Sequence, residues 1–443
     1  MADVTNAVRT VRKRKRANRQ NMPRFSVTLW NRGFFLDFFL KFVYNHRRFC
    51  REVENPSEND FPHGRRCESM HITGEQIILW IMAAFSILGT IDRVLPEKYR
   101  RGYGEAFVRG IETTGPLILS MAATYAIAPS LAAVLKPIVT PVFQVLGADP
   151  GTFAGMLLAA DMGGYPLAME LAGSDALGNF GGLILGTMMG VTIVFTIPVL
   201  LPMVPKDDSA VFSLGILCGI LTIPFGAVAG GLVMGLSFPV ICRNLVPLLV
   251  LCAVIALGLL FCKTGTIRVF CVFGKIVSIL LALLLGIAVF QSITGVTLPF
   301  FGDMQLADSA ITRLDDGLLV CARIGLLLSG AFPMVKFLEK HLSGILRRIG
   351  EKVGITAPSV LGMVANLANS LVMIGLFPEM DEKGKLYNIA FTVSASFLIG
   401  DHLAFTAGVA PDMVVPMLVG KTVAGICALL LAAICARRMP KTK

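Results

Sequence analysis

The chain has 443 residues, of which 55% are hydrophobic and only 16% charged, with a mean hydropathy of +0.72. A soluble domain carries about a quarter charged residues, so the composition excludes an ordinary soluble protein and predicts an all-α polytopic membrane protein surrounded by the lipid bilayer. The net charge of +11 is uneven, because residues 1–69 hold 15 Lys and Arg against 7 Asp and Glu.

Residues 1–70 read as a basic, disordered tail, or as an upstream extension with Met70 as the true start. Arg12-Lys13-Arg14-Lys15-Arg16 suits anionic lipid or nucleic acid. The aromatic run from Trp30 to Tyr44 is cut by Arg32, Asp37 and Lys41, so it fits an interface better than a span. No cleavable signal-peptide pattern is visible.

Residues 71–443 read as a transmembrane transporter domain. Apolar segments fall at about 76–91, 114–135, 151–172, 181–204, 211–236, 239–262, 268–294, 318–338, 359–377, 387–410 and 412–436, with a shorter apolar piece at 136–147 suited to a turn. Eight of the ten cysteines lie in or at the ends of these segments, where they serve as small hydrophobes. They have no metal or redox spacing, and no cofactor is expected.

Two segments are poor spans. Segment 151–172 contains Asp161 and Glu170 with Gly163, Gly164 and Pro166 between them, and 359–377 carries Asn366, Asn369 and Ser370. Irregular backbone at membrane depth survives only where it is buried in protein or lines a cavity. If all eleven segments span, the basic loop 336–352 and the basic C-terminus fall on opposite sides. If 151–172 and 359–377 are re-entrant, nine segments span. Every basic loop, including 92–112, then lies on one side, and the acidic loop 302–316 lies on the other. The positive-inside rule makes the basic side, with the C-terminus, cytoplasmic.

An internal repeat supports nine spans. Leu146-Gly147-Ala148-Asp149-Pro150-Gly151 through Gly155-Met156 resembles Val353-Gly354-Ile355-Thr356-Ala357-Pro358 through Gly362-Met363. Each stretch is followed by a polar-broken segment, a polar turn, and a long span with a central Gly and a Phe-Thr pair: Gly190 with Phe195-Thr196, and Gly400 with Phe405-Thr406. The halves run over about 92–236 and 295–436. With nine spans they are inverted, and a substrate site is expected where the broken segments meet near the midplane.

Few ionisable groups lie deep in the apolar segments: Asp161, Glu170, Arg323, Asp401, His402 and Lys421. Asp161 suits a cation, or a structural pair with Arg323 or Lys421. Glu170, near its segment's end, suits the same cation or faces water. Asp401-His402 suits proton relay, cation binding or a packing pair. Asn366 and Asn369 offer carbonyls and amides to a hydroxyl or an ammonium, or join helices. Carboxylates outnumber basic groups in the broken elements, which favours a small cation. Tyr165 offers it an aromatic face. The candidate substrate-binding set is therefore Asp161, Tyr165, Glu170, Asn366, Asn369, Asp401 and His402.

Several strings together resemble the EutH family of permeases encoded in ethanolamine-utilisation operons. They are Ile91-Asp92-Arg93, Phe153-Ala154-Gly155, Leu158-Ala159-Ala160-Asp161-Met162-Gly163-Gly164, Glu170-Leu171-Ala172-Gly173, Leu185-Gly186-Thr187-Met188-Met189-Gly190, Thr192-Ile193-Val194-Phe195, Leu367-Ala368-Asn369 and Gly400-Asp401-His402-Leu403. The likeness covers about 71–440. It implies a bacterial inner-membrane protein that brings ethanolamine into the cell for cytoplasmic catabolism, as a uniporter or a cation-coupled carrier using a proton or sodium. It assigns no residue roles.

The alternative within transport is a proton- or sodium-coupled carrier for another small polar solute. An enzyme is not expected. An intramembrane aspartyl protease using Asp161 and Asp401 would need a Gly-x-Gly-Asp string, where this chain has Leu398-Ile399-Gly400-Asp401. Nucleic acid is not an expected partner, and homo-oligomerisation is left open.

Overall fold

The computed structural model describes residues 73–296 and 310–438. The tail over 1–70 and Asp303 and Asp308 of the acidic loop lie outside the described residues. Two helices, α1 (Gly74–Val94) and α2 (Tyr103–Val145), lead into two short ones, α3 (Gly151–Leu157) and α4 (Gly164–Leu171). Four long helices follow: α5 (Asp175–Met203), α6 (Lys206–Val233), α7 (Phe238–Phe261) and α8 (Lys263–Thr294). Helix α9 (Ala310–Val353) brings the chain to a second short pair, α10 (Ala357–Ala368) and α11 (Ser370–Leu376). The last elements are α12 (Glu382–Ala395), α13 (Asp401–Val409) and α14 (Val414–Ala436). Among the described residues, eight helices are long and apolar enough to cross a bilayer: α1, α2, α5 to α9, and α14.

Helix α5 is the central post: 83% of its apolar window is buried, against 22% for α1. It is wound more widely than an α-helix over Phe180–Gly190 and Thr192–Leu200. Helices α7 and α8 instead expose Val254, Leu257, Leu260, Ile276 and Leu283, an apolar face suited to lipid. The piece expected as a turn at 136–147 is the end of α2, which runs on to Val145 past Pro137 and Pro141. Such prolines are tolerated at membrane depth where neighbouring groups satisfy the freed carbonyls.

Both poor spans double back as hairpins, and an aspartate closes each neck. Asp149 accepts from Gly151 N at 2.7 Å through one oxygen and from Gly173 N at 2.9 Å through the other, so one carboxylate ties the two ends of the first hairpin. At the second hairpin, Asp381 accepts from Thr356 N at 2.8 Å, Ser359 Oγ at 2.6 Å and Gly384 N at 3.2 Å. Burial pushes the Asp381 carboxyl up, but the bonds from Ser359, Thr356 and Gly384 outweigh it and hold the group below its ordinary range.

The necks sit on opposite faces. Asp149 N donates to Asn244 Oδ1 at 2.7 Å, near the start of α7 and so beside the end of α6. At the other neck, Lys385 Nζ pairs with Asp208 at 2.7 Å, at the start of α6. The hairpins are therefore anchored at the two ends of one long apolar helix.

Segment 387–410, expected as a continuous span, is two half-helices separated by an unwound stretch at 396–400. Phe397 N donates to Asn366 O at 3.0 Å and Ile399 N to Leu367 O at 2.9 Å, so the stretch pairs with the end of α10 instead of continuing its own helix. Phe397 sits at φ 59°, the one non-glycine in the left-handed region among the described residues.

Candidate binding site between the hairpin tips

The two broken regions meet in the interior. Gly163, at φ 92°, turns the tip of the first hairpin into α4 and leaves Asp161 just before the turn. Asp401 starts α13 directly after the unwound stretch. The two aspartates lie within electrostatic reach of each other, and Asp161 also lies within reach of Lys421 on α14. Oδ1 of Asp161 and Oδ1 of Asp401 are both buried with no hydrogen-bond partner among the described residues.

Lys421 is 1% exposed. Its Nζ donates to the Thr187 carbonyl of α5 at 2.6 Å and lies 2.9 Å from His402 Nδ1. The His402 ring stands 5.2 Å from Phe397, which meets Phe195 edge-on at 5.6 Å. Tyr165 packs edge-on against Phe405 at 5.9 Å, and Tyr125 of α2 lies close to Tyr165.

The expected residues separate into two groups. His402 touches Lys421, Asp161 lies within reach of both Lys421 and Asp401, and Tyr165 packs against Phe405 of α13. Asn366 lies one short turn from the α10 tip, fully buried. Its amide donates to Thr392 Oγ1 at 2.6 Å and to the Asn388 carbonyl at 3.2 Å, which leaves its buried Oδ1 without a partner. Asn369 Oδ1 is engaged instead, accepting from Leu371 N at 2.8 Å as the cap of α11. Glu170 lies exposed at the end of α4, away from the tips. Arg323 is exposed on α9, so Lys421 and not Arg323 is the cation near Asp161.

A buried polar atom is normally satisfied. Here Asp161 Oδ1, Asp401 Oδ1 and Asn366 Oδ1 are all acceptors lacking a donor, and the hydroxyls of Ser370, Ser396 and Thr406 add further unpartnered atoms. Asp161 lies within electrostatic reach of a second carboxylate, Asp401, and of one lysine, Lys421. Such a set fits a small ligand that carries positive charge and N–H or O–H donors. The open cavity of about 440 Å³ at the first neck is a separate feature. Lys136 and Arg243 stand in its wall, and none of the carboxylates at the tips lines it.

Sequence reasoning treated Lys421 only as a counter-charge and missed Thr187, Tyr125 and Phe397. A lone lysine in the apolar run 412–436 was the available signal for the first. Phenylalanine carries no turn preference, so nothing local announced the last.

The family model for ethanolamine utilisation protein, EutH, matches residues 74–435. A Listeria monocytogenes protein named probable ethanolamine permease EutH is 44% identical over 366 residues, 83% of this chain and 95% of its own length. A Salmonella typhimurium protein of the same name is 38% identical over 384 residues, 80% of this chain and 93% of its own. The Bacillus subtilis protein YxeR, described as uncharacterised, is 38% identical over 362 residues, 82% of this chain and 95% of its own. No solved structure matches the chain at a significant level.

Proposed function

Because the chain belongs to the EutH family, we propose that it carries ethanolamine across the cytoplasmic membrane of a bacterium into the cell. The observation that carries this reading is the pair of buried, unpartnered carboxylate oxygens, Asp161 Oδ1 and Asp401 Oδ1, contributed by the two oppositely anchored broken regions. Ethanolamine at neutral pH is an ammonium with a hydroxyl two carbons away. Asp161 and Asp401 take the ammonium, Tyr165 offers it a ring face, and Asn366 Oδ1 accepts from the hydroxyl. His402 orients Lys421, whose charge stops the carboxylates from repelling one another. Asn369 shapes the second tip. Glu170 acts at the mouth, where acidic groups raise the local concentration of a cation.

Uptake of labelled ethanolamine by proteoliposomes tests the reading. Vesicles holding the protein should load well above empty ones at acidic pH, where little neutral amine leaks. Asp161→Asn should lower the initial rate at least tenfold and Glu170→Gln less than threefold. Equal loading of full and empty vesicles by folded protein discards the reading, and the reverse order of the variants discards the site.

A further inference from the structure

We propose that the carboxylate pair of Asp161 and Asp401 holds either one ammonium substrate or one proton, with Lys421 as a fixed internal cation, so that transport is a one-for-one electroneutral exchange with protons and uses no sodium. The proposal rests on the transport reading above and adds its coupling.

The argument is a charge count in a buried site. Two carboxylates and one lysine leave a single negative charge, and an uncompensated charge at this depth is costly. Lys421 cannot supply more. Its Nζ is already committed to the Thr187 carbonyl and to His402 Nδ1, and a ring nitrogen that accepts from an ammonium belongs to a neutral imidazole. The site therefore reaches neutrality in two ways: a substrate ammonium joins it, or a proton binds one carboxylate and is shared across the pair. Both at once would leave it positive.

The surroundings offer no third way among the described residues. Helix α9 packs against α13 and α2, but its charged residues along that stretch, Asp315, Asp316 and Arg323, are exposed and its Cys321 is an uncharged thiol. Helix α14 packs against α5, α6, α12 and α13, and approaches α1. The stretches 180–200 of α5 and 223–233 of α6 contain no titratable residue. Those of α12 (Glu382, Lys383, Lys385 and Tyr387) lie at its neck end. Glu75 of α1 lies at the level of Val415, and Cys218 of α6 meets Cys435 roughly 21 Å along α14 from Lys421 at 1.5 Å per residue. Asp161 and His402 are the groups beside Lys421, and Asp161 in turn lies within electrostatic reach of Asp401, which joins the three charges in one cluster.

In the exchange step, the carboxyl O–H bond breaks as the ammonium arrives. The electron pair stays on the carboxylate oxygen, and the proton passes to water on the side to which the site is open. Release of the substrate on the other side is matched by uptake of one proton there. One cation crosses each way, and no net charge moves. A sodium ion held by these two carboxylates would compete with the substrate instead of driving it.

Full-length protein in liposomes decides the matter by initial rates above those of empty vesicles. A lumen made acidic relative to the bath should speed ethanolamine uptake severalfold. An inside-negative potassium diffusion potential should change it less than twofold, and replacing sodium with potassium salts should change nothing. A cation uniporter would instead accumulate substrate about tenfold for every roughly 60 mV; that result, or a sodium requirement, overturns the proposal. Failure of protein vesicles to exceed empty ones condemns the transport reading itself. Lys421→Met should shift the acid limb of the uptake–pH profile upward by a unit or more, since the proton then competes with the substrate without an internal cation beside it. Lys421→Arg should leave the limb near its wild-type position. An unmoved limb in folded Lys421→Met removes Lys421 from the scheme. If that variant does not fold, the wild-type flux measurements still decide the exchange.

Discussion

Asp149 and Asp381 show how single side chains set the architecture here. A hairpin dipping into a membrane must bring its two ends together at the surface, and no regular ladder is available to bind them. A carboxylate with two oxygens can accept from both ends at once. Asp149 does so through Gly151 and Gly173, while Asp381 gathers Thr356, Ser359 and Gly384. Asp381→Ala removes these bonds and the cap of α12, and should destabilise the protein by about 1–2 kcal/mol, the lower part of the usual range because the neck is partly exposed. The pH dependence has a definite sign. The folded carboxyl is held below its ordinary value of 3.8, so its contribution is complete above that pH and is lost as pH falls through the lower, folded value. Thermal unfolding in detergent should show a clear gap between wild type and Asp381→Ala at pH 7 that narrows as pH falls below 3.8. A gap that is constant with pH would mean that the carboxylate is not what closes the neck.

The hairpins and the helices that back them form a matched pair of elements. At the first, the Leu158 carbonyl of the tip lies on Gly190 of α5. At the second, the Ala368 carbonyl lies on Gly400. A methyl group at either glycine would land on that carbonyl, so both tips rely on the missing side chain for their depth. Gly190→Ala and Gly400→Ala should each cut ethanolamine uptake at least tenfold while leaving the protein monodisperse, whereas Gly375→Ala, where an added methyl meets nothing, should be near wild type. Equal tolerance at all three positions would dissolve the pairing of tip and glycine. The glycines, the Phe-Thr pairs and the polar interruptions were legible in the sequence, because each departs visibly from an apolar run. The break at 396–400 was not. Ser396-Phe397-Leu398-Ile399 reads as ordinary helix, and only tertiary pairing with Asn366 and Leu367 unwinds it. The resulting conformation at Phe397, with a usual cost of about 1–3 kcal/mol, sits beside His402, where the candidate site needs main-chain groups freed from helix. The site was legible in the same partial way. Its carboxylates stand out against lipid, while the difference between Asn366, with an unpartnered oxygen, and Asn369, which caps a helix, exists only in three dimensions.

At the scale of the molecule, the sorting of charge by face joins fold to direction. The first neck, the start of α5, the start of α9 and the start of α14 share one face, which carries Glu170, Asp175, Asp315, Asp316 and Asp412 against Lys136 and Arg243. The other face carries Arg93 in the last turn of α1, Lys98, Arg100 and Arg101 between α1 and α2, and Lys340, Arg347 and Arg348 toward the end of α9. By the positive-inside rule, we propose that the second face is the cytoplasmic one. The first then becomes an acidic mouth on the outside. That orientation suits uptake of a dilute cation, since an acidic entrance raises its concentration by an amount that falls with ionic strength. The orientation is testable without transport. In a cysteine-depleted background, Asp175→Cys should react with a membrane-impermeant maleimide on intact cells, and Arg348→Cys should react only after the membrane is opened. The reverse pattern would turn the protein over and make the acidic face an exit. Labelling of both positions from outside would show that the necks share a face, and the inverted pairing of the hairpins would fall with it.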